Sequence, residues 1–198
     1  MFQSLTKWRF LLCRTLPMVS IIVFSLLFIS ARPSAAKQNF PIYPAIQNNV
    51  HFWEKIYGSF SLREAVIHDT DDLAKIYSVL QLEDESLPTA QQINKKRRKD
   101  GEKKYSRMLT ELSRRAPKTR EEKRIAALFP KGKTGRKAMA KAADKVRTQT
   151  GQRERFQEGV IRSGAYIRNM KQIFRSAGMP EELAYLPHVE SSFNPNAY

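Results

Sequence analysis

The chain has 198 residues, 41% of them hydrophobic, a formal net charge of +16 and one cysteine. That length holds one or two small domains, and the apolar fraction with only 8 glycines is that of a mainly α globular chain able to bury a core. A single cysteine excludes a disulfide scaffold, and Cys13 precedes the first apolar run, so it is not placed as a lipid-anchored cysteine at a cleavage point.

Lys7, Arg9 and Arg14 lead into an apolar run from Met18 to Ile29, and Ser34-Ala35-Ala36 supplies small residues before a cleavage point. Residues 1–36 therefore read as a secretory signal peptide, which gives a periplasmic or cell-envelope address. The run falls short of the roughly 20 residues a spanning helix needs; an uncleaved N-terminal anchor is the alternative. Cleavage removes Cys13, and with it any thiol chemistry. It also removes Lys7, Arg9, Arg14 and Arg32, four charges without an acid among them, leaving +12 of the +16.

Residues 37–90 are expected to form an N-terminal helical region. After a polar, proline-bearing stretch from Lys37 to Pro44, Phe52, Trp53, Ile56 and Tyr57 mark an amphipathic helix beginning near Asn48. Ser59 to Ile67 reads as a connector with a short extended piece. Thr70 has the character of an N-cap, with Asp71 and Asp72 in a first turn and Leu73, Ile76, Tyr77 and Leu80 at helical spacing behind it. His68-Asp69 suggests a dyad or a metal site, but adjacent residues seldom orient one another and no second His or Cys lies nearby. A structural or capping role is expected.

Residues 91–147 form a basic helical region opened by Lys95-Lys96-Arg97-Arg98-Lys99. Tyr105, Met108, Leu109 and Leu112 define one helix, Ile125, Leu128 and Phe129 a second, and Ala138 to Val146 a third. Basic residues fill their outer faces, and such a surface attracts polyanions through counterion release. With an exported address the polyanion is wall glycan or an anionic membrane surface, and no nucleic acid is expected. Gly132-Lys133-Thr134 imitates the end of a phosphate-binding loop, but Ala127 occupies the required glycine position and no buried strand precedes it.

Thr150 or Gly151 opens the next expected helix, in which Phe156, Val160, Ile161, Ile167, Met170, Ile173, Phe174 and Ala177 keep one apolar stripe up to a stop at Gly178. Pro180 then starts a short helix with Glu181 and Glu182 in its first turn and an apolar face of Leu183, Leu186 and Val189, with Phe193 just beyond. Glu190 falls at the C-terminal end of that helix. The helix dipole disfavours a carboxylate there by roughly 0.3–1 kcal/mol, and burial can raise its pKa by up to about 3–5 units, which would make Glu190 a general acid. The alternative is an ordinary solvated glutamate. The nearest other carboxyls are Glu182, roughly 12 Å back along a helix, and Glu181 on the opposite face, so one acid must serve alone unless a partner lies further on. Three scattered histidines make no zinc spacing, and His188 reads as a packing or cleft neighbour of Glu190. No repeat, heptad or hairpin signal is evident.

The stretch Glu181-Glu182-Leu183-Ala184-Tyr185-Leu186-Pro187-His188-Val189-Glu190-Ser191-Ser192-Phe193-Asn194-Pro195-Asn196-Ala197-Tyr198 resembles the opening of the catalytic domain of the lytic murein transglycosylases, in the branch similar to membrane-bound lytic murein transglycosylase D. The likeness extends back through residues 153–164 and more weakly to residues 52–57 and 67–69. It implies the first helices of a lysozyme-like domain over residues 148–198, with the family's Gly-rich stretch and the rest of the sugar cleft expected beyond Tyr198, so that the 198 residues read as a fragment or as a truncated reading frame. It also implies Glu190 as the single catalytic acid/base, with Ser191, Ser192, His188 and Tyr185 lining the substrate. The substrate would be peptidoglycan glycan strands, and no metal or organic cofactor is required. Export gives the first prediction: the N-terminal sequence of the protein from the periplasmic fraction begins at Lys37, and recovery of unprocessed chain in the membrane alone identifies an anchor instead.

Overall fold

The computed structural model describes residues 40–197; the expected signal peptide lies outside them. Helix α1, Gln47–Gly58, follows a single 3-10 turn, Pro44–Ile46, and buries Phe52 and Ile56, one turn apart on its inner face. The chain then enters strand β1, Glu64–Asp69, turns, and returns as β2, Ile76–Gln81. With β3, Val146–Thr150, these make an antiparallel sheet of order β2-β1-β3. β1 is its centre, with Ile67 set between Ser78 on one side and Thr148 on the other.

Side chains of a strand alternate between the two faces of the sheet, and here both faces are covered. Val66 packs with Phe52 and Ile56 beneath α1, whereas Ile67 joins Tyr77, Tyr105, Leu109 and Leu112 on the other side. The apolar run Ala65-Val66-Ile67 is therefore that of a strand buried on both sides.

The expected helix from Thr70 through Leu80 is a turn and a strand. Thr70 caps no helix, its backbone N–H donating instead to Lys145 O at 3.0 Å. Asp72 makes the turn: its Oδ1 accepts from Ala74 N at 3.2 Å and its carbonyl from Lys75 N at 2.9 Å. Ile76, Tyr77 and Leu80 fit helical spacing, but the β-branched and aromatic run Ile76-Tyr77-Ser78-Val79 pairs with a strand already hydrophobic on both faces, and tertiary pairing overrides the local period. The hairpin that no turn signal announced is thus built on aspartates.

Helix α2, Ala90–Arg114, crosses the sheet with Asn94, Gly101, Tyr105, Leu109 and Leu112 inward. A Cβ on Gly101 would stand 2.7 Å from Ile67 Cδ1 and 2.9 Å from Leu80 Cδ1, so glycine lets this helix lie close to the sheet. Asn94 ties it to the end of β2, donating to Glu83 O at 2.9 Å and accepting from Glu83 N at 2.7 Å. Helix α3, Arg120–Ala126, starts from a capping box of Thr119 and Glu122, and Arg115 binds the same Glu122 carboxylate at 2.6 and 3.0 Å. These contacts hold the Glu122 carboxyl down at about 2. Helix α4, Gly132–Ala142, packs on α2 and ends before the expected limit at Val146, which begins β3. The boundary drawn at 147/148 therefore falls inside a strand paired to β1.

From β3 the chain passes Gly151 into α5, Arg153–Ser163, and then α6, Ile167–Ser176. One continuous helix was expected; the break lies at Gly164-Ala165-Tyr166, where the bonds tighten to the i−3 pattern, with Tyr166 N donating to Ser163 O at 2.9 Å. Ser163 Oγ donates back to Val160 O at 2.7 Å and glycine follows, two features that weaken a helix interior. The expected stripe is also only partly covered by other described residues: Phe156, Ile167, Met170 and Phe174 are half-buried, but α6 fully buries none of its side chains, and Ile161 and Ile173 are 80% and 64% exposed. Among the described residues no helix is long and apolar enough to cross a membrane.

α5 is held to α1 by backbone bonds, Gln152 N to Ile56 O at 2.8 Å and Arg153 N to Phe60 O at 3.1 Å, and by Glu154 Oε2 accepting from Leu62 N at 2.8 Å. Gly151 makes this junction possible, because a Cβ there would lie 2.2 Å from Phe60 O. Backbone cannot yield as a side-chain tip can, so Gly151→Ala is expected to destabilise the fold by about 1–3 kcal/mol or more, read as a lower urea midpoint at unchanged m-value.

Candidate functional site

Gly178 takes φ +69, and its N–H donates to Arg175 O while Met179 N donates to Phe174 O at 2.9 Å, the paired bonds that close α6 at its expected stop. A 3-10 helix, Glu181–Tyr185, follows, then a single turn of α-helix, α7, Pro187–Glu190. Pro187 has no N–H to give Leu183 O, so the expected continuous helix from Pro180 is two short pieces. Its buried face changes accordingly. Leu186 and Val189 are 53% and 51% exposed, and the residues turned inward are Ala184, His188 and, past the helix, Phe193.

The chain leaves α7 through two successive left-handed residues, Ser192 at φ 51 and Phe193 at φ 53. Neither is glycine, and such a conformation costs on the order of 1–3 kcal/mol per residue, so surrounding contacts must impose it. Gly159 of α5 provides the space, since a Cβ there would meet Ser192 Cβ at 3.0 Å. Arg162 Nε donates to Ser192 O at 3.0 Å, and Phe193 N donates back to Pro187 O at 3.2 Å. The Phe193 ring stacks on Tyr166 at 6.3 Å and meets His188 edge-on at 4.7 Å. The backbone on either side of Glu190 is thereby fixed.

His188 is enclosed by Phe156 at 5.4 Å, Phe193 at 4.7 Å and Tyr185 at 6.1 Å, and its Nδ1 is buried without a hydrogen-bond partner among the described residues. Desolvation lowers its pKa below the ordinary 6.5, favouring a neutral ring. Tyr185 is half exposed, with Lys171 Nζ 4.7 Å from its ring centroid. Together Tyr185, His188, Phe156, Val160 and Val189 wall a concavity of about 720 Å³ whose other border carries Arg168 and Lys171. A second hollow of about 360 Å³, on the Ser191 side, is lined by Tyr166, Met170, Phe193 and Asn194.

Glu190, between these hollows in sequence, lines neither and is exposed. The apolar burial expected around its carboxyl is absent, because the side chains meant to supply it, Leu186 and Val189, are themselves in solvent. Ser192 Oγ is turned inward toward His188 O at 3.4 Å, while Ser191 faces the smaller hollow. Tyr185 and His188 are thus together on one side and Ser191 on the other. Glu181 is bound to Arg175 at 2.9 Å and Lys171 at 3.7 Å.

Sequence inspection missed Tyr57. It stands on α1, and its hydroxyl pKa is pushed up first by burial and then by the charge of Glu190, which places the two within electrostatic range. Tyr57 also packs on Phe156 at 5.6 Å, so it reaches His188 through one shared ring. The helical spacing of Phe52, Trp53, Ile56 and Tyr57 was legible, but nothing local paired a tyrosine on α1 with a glutamate 133 positions later. His68 and Asp69 are buried in the sheet: Asp69 Oδ2 accepts from Tyr77 at 3.0 Å and Oδ1 from Asp71 N at 2.8 Å, so both carboxylate oxygens are engaged. Among the described residues no cluster of three His, Cys, Asp or Glu could hold a metal ion.

No protein-family model, no curated protein and no solved structure matches this chain.

The lowered pKa of His188 has a defined consequence. Its unfolded ring takes up a proton near 6.5 and the folded ring only at lower pH, so stability present above 6.5 is lost as pH falls below it. His68, also lowered by burial, acts in the same direction. A His188→Phe variant is therefore expected to lose less stability than the wild type across that window, compared by urea midpoints in a pH series.

Proposed function

We propose that the chain carries the acid/base end of a peptidoglycan lytic transglycosylase, with Glu190 as the one catalytic carboxyl. The observation that carries this reading is the setting of Glu190: an exposed carboxylate at the end of a short helix whose backbone is locked by the left-handed pair Ser192 and Phe193 against Gly159 and Arg162. A rigidly held, accessible acid next to aromatic walls is a sound base for sugar chemistry, in which pre-positioning supplies much of the rate. The likeness of residues 181–198 to the family's catalytic motif supports it independently.

In this reading Glu190, protonated, donates its proton to the glycosidic oxygen between N-acetylmuramic acid and N-acetylglucosamine, and the C1–O bond breaks. The adjacent N-acetyl group stabilises the positive charge at C1. Glu190, now a carboxylate, removes the proton from the C6 hydroxyl of the same muramic acid, and O6 closes on C1. The product is a 1,6-anhydromuramyl end; the acid is returned to its starting state and no water is consumed. Most glycosidases use two carboxylates at fixed separation; here one group does both transfers. A sugar lying over Glu190 excludes the water that now surrounds it and supplies the desolvation that favours the protonated acid. The Tyr57 hydroxyl, within electrostatic range of the carboxylate, stays protonated. Tyr185 and His188 offer faces to sugar rings in the larger hollow, and Ser191 a hydroxyl in the smaller.

The open apolar faces of α5 and α6, with Val160, Ile161 and Ile173 all half exposed or more, accord with a helical domain that has further segments to pack on them. A second reading, a non-catalytic exported protein that binds wall or membrane with this region as a relic, draws on the charge distribution: residues 91–147 carry 21 Lys and Arg against 6 Asp and Glu, a net +15.

The two are separated by one substitution. In a chain extended through the segment expected after Tyr198, Glu190→Gln should cut release of anhydromuropeptides from purified sacculi by at least 10²–10⁴-fold while circular dichroism and sacculus binding stay unchanged, since the amide keeps the shape and cannot carry the proton. Anhydro product at wild-type rate from the Gln variant would move the chemistry elsewhere. Absence of product from the unmodified extended chain would favour the binding protein.

A further inference from the structure

The net charge of +15 in residues 91–147 leaves only +1 for the remaining residues, so nearly the whole charge excess of the chain belongs to α2, α3, α4 and their links. α2 orders part of it. Its buried residues lie on one side, and Lys96, Lys99, Lys103, Arg107 and Arg114, spaced by three, four, four and seven, lie together on the other and are all exposed. The row is about 27 Å long at 1.5 Å per residue.

Among the described residues none of these five is in an ion pair with a carboxylate, and Lys95 and Arg98 beside them are unpaired as well. Arg97 is bound to Glu83, Lys104 to Glu121, and Arg115 to Glu111 and Glu122. Part of the charge on the flanks of α2 is thus neutralised within the fold, whereas its outer row is not; Arg107 reaches only the Lys103 carbonyl, at 3.4 Å. Asp100, exposed near this row, leaves it strongly positive. Like charges at such spacing on a helix repel. A counter-surface that relieves this repulsion is favoured for the same reason.

We propose that the outer row of α2 docks on an anionic phospholipid surface, each cation facing headgroup phosphates while the helix lies parallel to the bilayer. Lysine meets phosphate as a compact point charge, which needs density of charge rather than a shaped pocket. Between residues 95 and 114 no exposed side chain is aromatic, Asn or Gln, so the row offers nothing on which bases could stack and no amide to read base edges. It has no apolar wedge either, and the contact is therefore adsorption onto headgroups without insertion. The choice of lipid over nucleic acid rests on the exported address in the reading above. The docking itself makes no use of Glu190, so the two succeed or fail separately.

The test is titration of the full chain with phosphatidylglycerol-containing vesicles and with neutral phosphatidylcholine vesicles. It is repeated for two variants checked by circular dichroism: Lys96→Gln with Lys99→Gln, Lys103→Gln and Arg107→Gln, and, as a control of equal charge, Lys133→Gln with Arg136→Gln, Lys137→Gln and Lys141→Gln on α4. A cation at an anionic leaflet is worth about fivefold in binding, so the α2 variant should lose at least a hundredfold on anionic vesicles and the α4 variant much less. Salt near 1 M, where screening acts within about 3 Å, should remove the difference between wild type and the α2 variant. Equal losses in both variants would reduce the effect to total charge and overturn the proposal. So would a wild-type to α2-variant ratio near one on anionic vesicles, or stronger row-dependent binding to duplex DNA or to purified sacculi than to those vesicles.

Discussion

Ala65, Val66 and Ile67 have no exposed surface, and the rest of the described fold is arranged to make that possible. A strand covered on both faces must have every backbone N–H and C=O paired, since no water reaches them, and an orphaned group costs on the order of 1–3 kcal/mol. β1 therefore requires a neighbour on each edge. β2 comes from the next stretch of chain and β3 from about eighty residues further on, so closing the sheet requires the whole basic helical region to fold between them. α1 covers one face and α2 the other, the latter brought down by Gly101.

The same constraint places the site. β3 ends at Thr150, and Gly151 turns the chain against Phe60, so α5 can only start beside the C-terminal end of α1. From there the linkage is aromatic: Tyr57 on Phe156, Phe156 on His188, His188 on Phe193, Phe193 on Tyr166. Ring pairs of this kind add about 0.5–1.5 kcal/mol each beyond their buried area. A few such contacts, with the close approach of Ser192 to Gly159, are of the size needed to hold two left-handed residues in place. The geometry around the carboxylate is thus set by rings on three helices, α1, α5 and α7, and on the two turns that hold Tyr166 and Phe193.

How much of this could be read from the chain depends on whether the deciding contact was local. Helix α1, the first helix of residues 91–147, the stop at Gly178 and the structural role expected of His68-Asp69 all rest on spacing or on a turn residue, and the structure has them; the two further helices are present but shifted toward the N-terminus, with Leu128 and Phe129 beyond α3 and Val146 in β3. The strand from Ile76 was not legible, because Leu73, Ile76, Tyr77 and Leu80 satisfy a helical period and only pairing with β1 selects the other. The break after Ser163 had a signal, Gly164 following a serine, that a long apolar stripe outweighed. At the site the resemblance named candidate residues but not how they stand. Pro187 divided the helix, and with it the assignment of Leu186 and Val189 to the buried face failed.

That failure bears on the chemistry. A general acid near neutral pH needs its carboxyl disfavoured as an anion, and the protein portion around Glu190 does not provide this through burial. Two sources remain within the proposed reading: the substrate, and chain packed over the open faces of α5 and α6. Both would act on one residue from the outside, leaving α7 to supply position alone. The division is physically reasonable, because a strained loop clamped to α5 is stiff enough to hold an acid in place while still exposed. Within the proposed reading a glycan lying over α7 would itself exclude water from the site, so that the chemistry would be confined to the occupied state.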